Sequence, residues 1–187
     1  MQIKIGSTQI NNGFSGNFYL PYSIGLLQAF VIHNSSNPER YNFQTPIYKR
    51  WLLDDCVAKL MNQDIVLFST YVWNINISLK IAEKLKQVNK NILIVFGGPS
   101  VPDQSKDFLI ENKFIDIAVH QEGERTIHQI LEQFPNLDLE NIPNISYIKN
   151  EKFFINKNLP RFRNFDGCPS PYLTKTFNKL IEENPNE

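Results

Sequence analysis

Three short stretches carry residue types that could do chemistry. "FSTYVWNIN", residues 68–76, sets two hydroxyls, Ser69 and Thr70, beside two aromatics, Tyr71 and Trp73. "HQEGERT", residues 120–126, places Glu122, Gly123 and Glu124 between an apolar run and a helical pattern. "ILIVFGGPSVPD", residues 92–103, ends an apolar run at Gly97, Gly98 and Pro99. Each also has a purely structural reading. Aromatics just past a strand either lid the core or wall a pocket, and the adjacent hydroxyls favour the pocket. Asn74 or Asn76 would serve equally to cap the next helix. Acids in a first helical turn complement the macrodipole whether or not they meet a ligand. Glycines supply strand-to-helix turns in any α/β protein.

Several chemistries are absent. The chain has no GxxxxGK[ST] and no GxGxxG, and Pro99 removes a backbone N–H where a phosphate cradle needs one. His33, His120 and His128 have no metal-ligand spacing to one another. His128 follows Glu124 by one helical turn and reads as a surface pair, while His120 sits at a strand end and is the one histidine near the predicted site, where an axial metal ligand would stand. Asp54 and Asp55 fall in a helical pattern rather than after a strand, so a phosphoacceptor receiver site does not fit. Cys56 and Cys168 make neither a disulfide framework nor a metal knuckle. No metal ligands and no self-sufficient catalytic constellation emerge.

These residues need elements to position them. At 187 residues, 42% hydrophobic, the chain suits one globular domain with an appendage. Lys plus Arg and Asp plus Glu number 19 each, so charge does not point to nucleic acid or an anionic membrane. No apolar run approaches the ~18 residues of a membrane span. The N-terminus lacks a signal-peptide core, making a cytoplasmic location the default expectation. Strands are predicted at 2–10, 41–48, 64–69, 91–96 and 115–120. Pro46 weakens the second and puts it at a sheet edge. Helices are predicted at 21–34, 50–62, 76–88, 105–113 and 123–134, each with an apolar stripe. A hairpin over 144–156 turns at Asn150-Glu151. Residues 157–177, with Pro160, Gly167, Pro169 and Pro171, read as an extended linker. Apolar strands alternating with amphipathic helices imply a doubly wound parallel sheet, and ligands of such sheets bind beyond the strands' carboxyl ends. The loop of residues 11–22, long for a βα connection, lies at that edge.

In order along the chain, "LPYSIGLLQAF", "DIVLFSTYVWNINISLKIAEKLK", "ILIVFGGPSVPD", "IDIAVHQEGERTIHQIL", "NIPNISYIKN" and "PSPYL" resemble the N-terminal cobalamin-binding domain of cobalamin-dependent radical S-adenosylmethionine proteins. The resemblance implies a flavodoxin-like, Rossmann-like α/β domain over 1–138, with a hairpin and linker over 139–187 leading toward a radical barrel absent from this sequence. The cofactor would be cobalamin, its nucleotide tail inserted between strand ends. Ser69 and Thr70 would line that channel, and Gly97 and Gly98, followed by Pro99, would let the tail pass the backbone. Glu122, Gly123 and Glu124 would border the nucleotide or corrin amides, and Tyr71, Val72 and Trp73 would face the corrin. Many such domains carry DxHxxG in the first loop. The nearest frame here is Leu20-Pro21-Tyr22-Ser23-Ile24-Gly25, which keeps Gly25 but puts Leu20 and Tyr22 where Asp and His would stand. Cobalt ligation by a histidine of this loop is therefore not implied. No CxxxCxxC occurs, so a 4Fe–4S cluster and S-adenosylmethionine would belong to a downstream domain or partner subunit. The role implied is to hold and orient the corrinoid for a methyl-transferring or substrate-remodelling enzyme. Two other readings stand beside it: a nucleotide-sugar transferase on a doubly wound fold using Glu122 and Glu124, and a non-binding interaction domain left by a truncated gene.

Overall fold

The computed structural model describes residues 2–15, 17–164 and 167–184. Its elements follow the alternation of apolar runs and amphipathic stripes. They are β1 (Ile3–Thr8), β2 (Gly13–Phe14), β3 (Asn17–Phe18), α1 (Tyr22–Asn34), β4 (Tyr41–Phe43), α2 (Leu53–Leu60), β5 (Ile65–Ser69), α3 (Ile75–Val88), β6 (Leu93–Gly97), α4 (Lys106–Glu111), β7 (Ile117–Val119), α5 (Glu124–Gln133), β8 (Ile145–Lys149), β9 (Lys152–Ile155) and α6 (Asn178–Glu182). Among the described residues, nine strands make one seven-stranded sheet, ordered β4-β1-β5-β6-β7-β8-β9, and a separate two-stranded ribbon of β2 and β3.

From β4 to β7 the pairings are parallel. Counting only these parallel strands along the chain, their order is 2-1-3-4-5, the flavodoxin-like order. The second strand is indeed at the edge and is short. It regains the sheet only at Ile47, which bridges to Thr8 beyond Pro46. The hairpin turns at Asn150 and Glu151, with φ of 50° and 61°, as a two-residue hairpin loop requires. β8 joins β7 antiparallel and β9 pairs antiparallel with β8, so the hairpin continues the same layer.

Side-chain alternation sends successive strand residues to opposite faces. Val66, Phe68, Ile94, Phe96 and Ala118 face α2, α3 and α4, where Leu60, Ile81, Leu85 and Leu109 complete one core. Ile65, Leu67, Val95, Ile117 and Val119 face α1 and α5, packing with Ile24, Val31, Ile127, Ile130 and Leu131. Both faces are covered, as a parallel sheet requires. Among the described residues no helix is long and apolar enough to cross a membrane.

Two features differ from the sequence expectation. The first loop folds into the β2–β3 ribbon, whose two-residue strands are too short to show alternation. The linker is not extended throughout: past Pro171 it coils into turns and α6. Phe177 is buried at 3% exposure and docks on α1, and Glu183 accepts a hydrogen bond from Thr45 at 3.1 Å.

Candidate cofactor-binding site

Four strand-to-helix connections meet at the carboxyl edge of the sheet. In the first, Gln9 turns its side chain back so that Oε1 accepts from the Ile24 N–H at 3.3 Å. This satisfies one of the unpaired donors of α1, which has no side-chain cap of its own. In the second, Asn74 organises the turn after β5. Its amide donates to the carbonyls of Ile10 (3.0 Å) and Ser69 (3.1 Å), and its Oδ1 accepts from the Tyr71 N–H at 2.8 Å. Asn74 thus buckles two loops together instead of bonding the backbone of α3.

The third connection holds the double glycine, whose two members do different things. Gly98 has φ +101°, and a Cβ there would lie 2.6 Å from the Thr70 carbonyl oxygen and 2.9 Å from its nitrogen. That position needs glycine for the turn and for the approach of the neighbouring main chain. A Cβ on Gly97 would meet only Val119, at 3.7 Å, which is ordinary contact. The two glycines therefore differ in what a side chain at each would meet. Gly97 leaves room beside the sheet, whereas the room at Gly98 is taken by Thr70. Thr70 itself is buried, and both its N–H and its hydroxyl donate to the Gly97 carbonyl at 2.8 Å. It locks the strand ends together.

Between the sheet and helices α1 and α5 lies a cavity of about 240 Å³. Its floor is apolar, built from Leu67, Val95 and Val119 of the strands and Leu27 and Ile127 of the helices. Its rim is polar, with Ser69, Tyr71, Gln121, Glu122 and Glu124 among the lining residues. Of the residues singled out from sequence, Tyr22, Ser69, Tyr71, Gly97, Gly98, Pro99, Glu122, Gly123 and Glu124 line it. Gly25, Thr70, Val72 and Trp73 do not. A Cβ on Gly25 would fall 2.2 Å from the Phe177 ring, so this glycine receives the C-terminal segment. Val72 is 81% exposed, and Trp73 stacks on Tyr71 with ring centroids 4.7 Å apart. Tyr71 is pinned by a 2.7 Å hydrogen bond between its hydroxyl and that of Ser23. Tyr22, at the mouth, is stacked by Tyr172 at 5.9 Å.

The two acids of the fourth connection have unlike surroundings. Glu122 Oε2 accepts the Phe162 N–H at 2.8 Å, and Arg125 lies over the Phe162 ring at 3.9 Å. Glu124 Oε2 is buried with no hydrogen-bond partner among the described residues, while the carboxyl is also bonded to the Glu124 backbone N–H. Burial, chiefly, and then the nearby charge of Glu122 push the Glu124 carboxyl above its ordinary range. His120 faces the other way. Its Nε2 lies 2.9 Å from the Ser146 hydroxyl, itself 2.6 Å from that of Ser105 beside α4. Burial holds His120 below its ordinary range, and the residue packs outside the cavity. Among the described residues no cluster of three or more His, Cys, Asp or Glu could hold a metal ion.

Leu27, Leu67, Val95, Val119 and Ile127 were legible from sequence only as core. The available signal was the strand period: Leu67 and Val95 precede Ser69 and Gly97 by two residues and share their face.

Such a site suits part of a large ligand. Drug-sized ligands occupy pockets of roughly 300–1,000 Å³, so a cavity of about 240 Å³ has room for only part of such a ligand. Comparisons with known proteins give that shape a context. Residues 48–131 match the B12 binding domain family. The chain is 27% identical over 157 residues to the cobalamin-dependent radical SAM methyltransferase TokK of Streptomyces tokunonensis. It is 29% identical over 157 residues to the 2-(S-pantetheinyl)-carbapenam-3-carboxylate methyltransferase of Streptantibioticus cattleyicolor. Each match covers 83% of this chain and 23% of the relative's length. In structure it resembles the cobalamin-dependent S-adenosylmethionine radical enzyme OxsB with aqua-cobalamin and S-adenosylmethionine bound, with a TM-score of 0.71 at 16% identity, over 95% of this chain and 25% of that one. It also resembles the methyltransferase TsrM of Kitasatospora setae, with a TM-score of 0.61 at 13% identity, over 87% of this chain and 30% of that one. These matches favour the corrinoid reading over a nucleotide-sugar transferase. Residues 48–131 thus match the B12 binding domain family, and the chain is similar in sequence to cobalamin-dependent radical SAM methyltransferases and shares the fold of their solved relatives.

Proposed function

We propose that this chain holds and orients cobalamin at the carboxyl edge of its sheet, with the nucleotide tail of the cofactor in the cavity beneath α1 and α5. The observation that carries the reading is the cavity itself, apolar in its floor, bounded by Gly97 and Ser69, and fringed by Glu124, whose Oε2 has no partner among the described residues. A benzimidazole tail is a flat apolar group with polar attachments, and the lining has that order from floor to rim. Tyr71 and Trp73, stacked and pinned by Ser23, form a flat face beside the mouth for the corrin, and exposed Val72 extends it. Gly123 and Pro99 shape the walls between these groups.

When bound, cobalamin would supply a cobalt centre able to carry a methyl group, chemistry that belongs to the cofactor rather than to the surrounding side chains. The part left to this chain is to bind, orient and shield. We further propose that it serves a radical SAM methyltransferase, with residues 1–138 holding the corrinoid and 139–187 leading toward the catalytic part. The two cysteines of this sequence are too few for a three-cysteine iron–sulfur site, so that cluster and S-adenosylmethionine would be held elsewhere, and the setting would be the cytoplasm.

Purified protein is mixed with hydroxocobalamin, freed of unbound ligand and read by visible absorption. The expected result is stoichiometric retention with the spectrum of cobalamin whose base has left the cobalt. A colourless protein, or a base-on spectrum, would contradict the reading.

A further inference from the structure

Glu122 and Glu124 stand two residues apart at the same cavity, yet the fold treats them differently. The Glu122 carboxylate has an internal partner, the Phe162 N–H. Glu124 has none at Oε2, although that atom is buried. Arg125, a neighbouring cation, lies over the Phe162 ring. A buried polar atom without a partner costs about 1–3 kcal/mol. A group left in that state beside an open cavity is satisfied most simply by what enters it.

We propose that Glu124 is a specificity residue that hydrogen-bonds the ring nitrogen of a heterocyclic base in the cavity, so that the site selects corrinoids by the chemistry of their lower base. This rests on the corrinoid reading above and goes beyond it by assigning a chemical preference. The floor of Leu67, Val95, Val119, Leu27 and Ile127 offers no hydrogen bond to the hydrocarbon half of a benzimidazole. Glu124 Oε2 is the lining carboxyl oxygen left without a partner among the described residues, and the nitrogen released from cobalt would lie against it. Burial and Glu122 favour its protonated form, which can donate to an unprotonated ring nitrogen. A base protonated at that nitrogen would donate instead to the carboxylate, so either state shares one proton between the two groups.

The test compares retention of hydroxocobalamin, of a cobamide whose lower base is a p-cresol ring without nitrogen, and of cobinamide, which lacks the nucleotide. Wild-type protein, Glu124→Gln and Glu124→Leu are used, with affinity read from the visible spectrum and folding from the urea midpoint. Hydroxocobalamin must release its base from cobalt and the cresol cobamide need not, so the readout is the change in their affinity ratio between wild type and variant. From wild-type protein to Glu124→Leu the ratio should fall by about tenfold or more, the scale of one hydrogen bond to an otherwise unpartnered buried group, while the urea midpoint is unchanged or raised. Glu124→Gln should keep much of the wild-type ratio through its amide N–H. An unchanged ratio in Glu124→Leu overturns the assignment. A lowered urea midpoint in both variants assigns Glu124 to the fold instead and also overturns it. If no corrinoid is retained by wild-type protein, the corrinoid reading fails and this inference with it; if corrinoids are retained and the ratio is the same in wild type and Glu124→Leu, only the inference fails.

Discussion

The two faces of the sheet finish differently at its carboxyl edge. Phe68 of β5 and Phe96 of β6 are register partners, and their rings stack 4.6 Å apart beneath α3 and α4. The next pair along the same two strands is Ser69 and Gly97, which the pleat turns toward α1 and α5. One step along the strands replaces two phenylalanines by a serine and a glycine, and a filled core by a cavity. The site is therefore written by two small residues at strand ends, set against a face that is packed solid. The loops that follow fasten the edge, as Thr70 and Asn74 do, more than they create the space.

Breaking the packed face should have the largest effect. Phe96→Ala removes a fully buried ring and should cost about 3–5 kcal/mol in urea unfolding. Its folded fraction should still retain hydroxocobalamin, because the cavity lies on the other face. The glycine pair sharpens the comparison at adjacent positions. Gly98→Ala forces a side chain into a left-handed turn against the Thr70 backbone and should cost about 1–3 kcal/mol. Gly97→Ala should be neutral or stabilise by roughly 0.4–1 kcal/mol, since its Cβ meets only Val119 at normal contact. Opposite signs from one chemical change would separate the turn from the clearance. Gly97→Phe should leave the fold in place, as judged by circular dichroism, yet lower cobalamin affinity about tenfold or more by filling the cavity.

The smallest effects are in pH dependence, and the two faces should have opposite signs. On the packed side, His120 is held below 6.5, so the unfolded chain binds more protons between the depressed value and 6.5. Stability from this residue is lost as pH falls through that window. On the cavity side, Glu124 is held above 4.5, so the folded chain binds more protons there, and stability is lost as pH rises through that window. Urea midpoints from pH 4 to 8 should show His120→Gln removing the first slope relative to wild type and Glu124→Leu the second.

Much of the frame was legible in the sequence because it is local. The apolar run Ile92–Phe96 could be only a buried strand, the stripe from Ile81 to Leu85 only an inward helix face, and Pro46 only an edge. Of the site, Ser69, Tyr71, Gly97 and Glu124 were legible from hydroxyl, aromatic, glycine and acid types just past strand ends. What remained hidden depends on contacts distant in sequence. The difference between Gly97 and Gly98 requires knowing that the Thr70 main chain passes beside one of them. The role of Gly25 depends on Phe177, far along the chain, and the orientation of His120 on Ser146 in the hairpin. Leu67, Val95 and Val119 look identical in sequence whether they face a helix or a cavity.

The central claim is that the cavity, not the cobalt, holds the cofactor's base. Electron paramagnetic resonance of the protein loaded with cob(II)alamin reads this directly, since a nitrogen on the lower face of cobalt splits each hyperfine line into three. The predicted spectrum for wild-type protein has unsplit lines. Nitrogen-split lines from protein-bound cob(II)alamin would mean that the base, or a histidine, ligates cobalt, and would contradict the account.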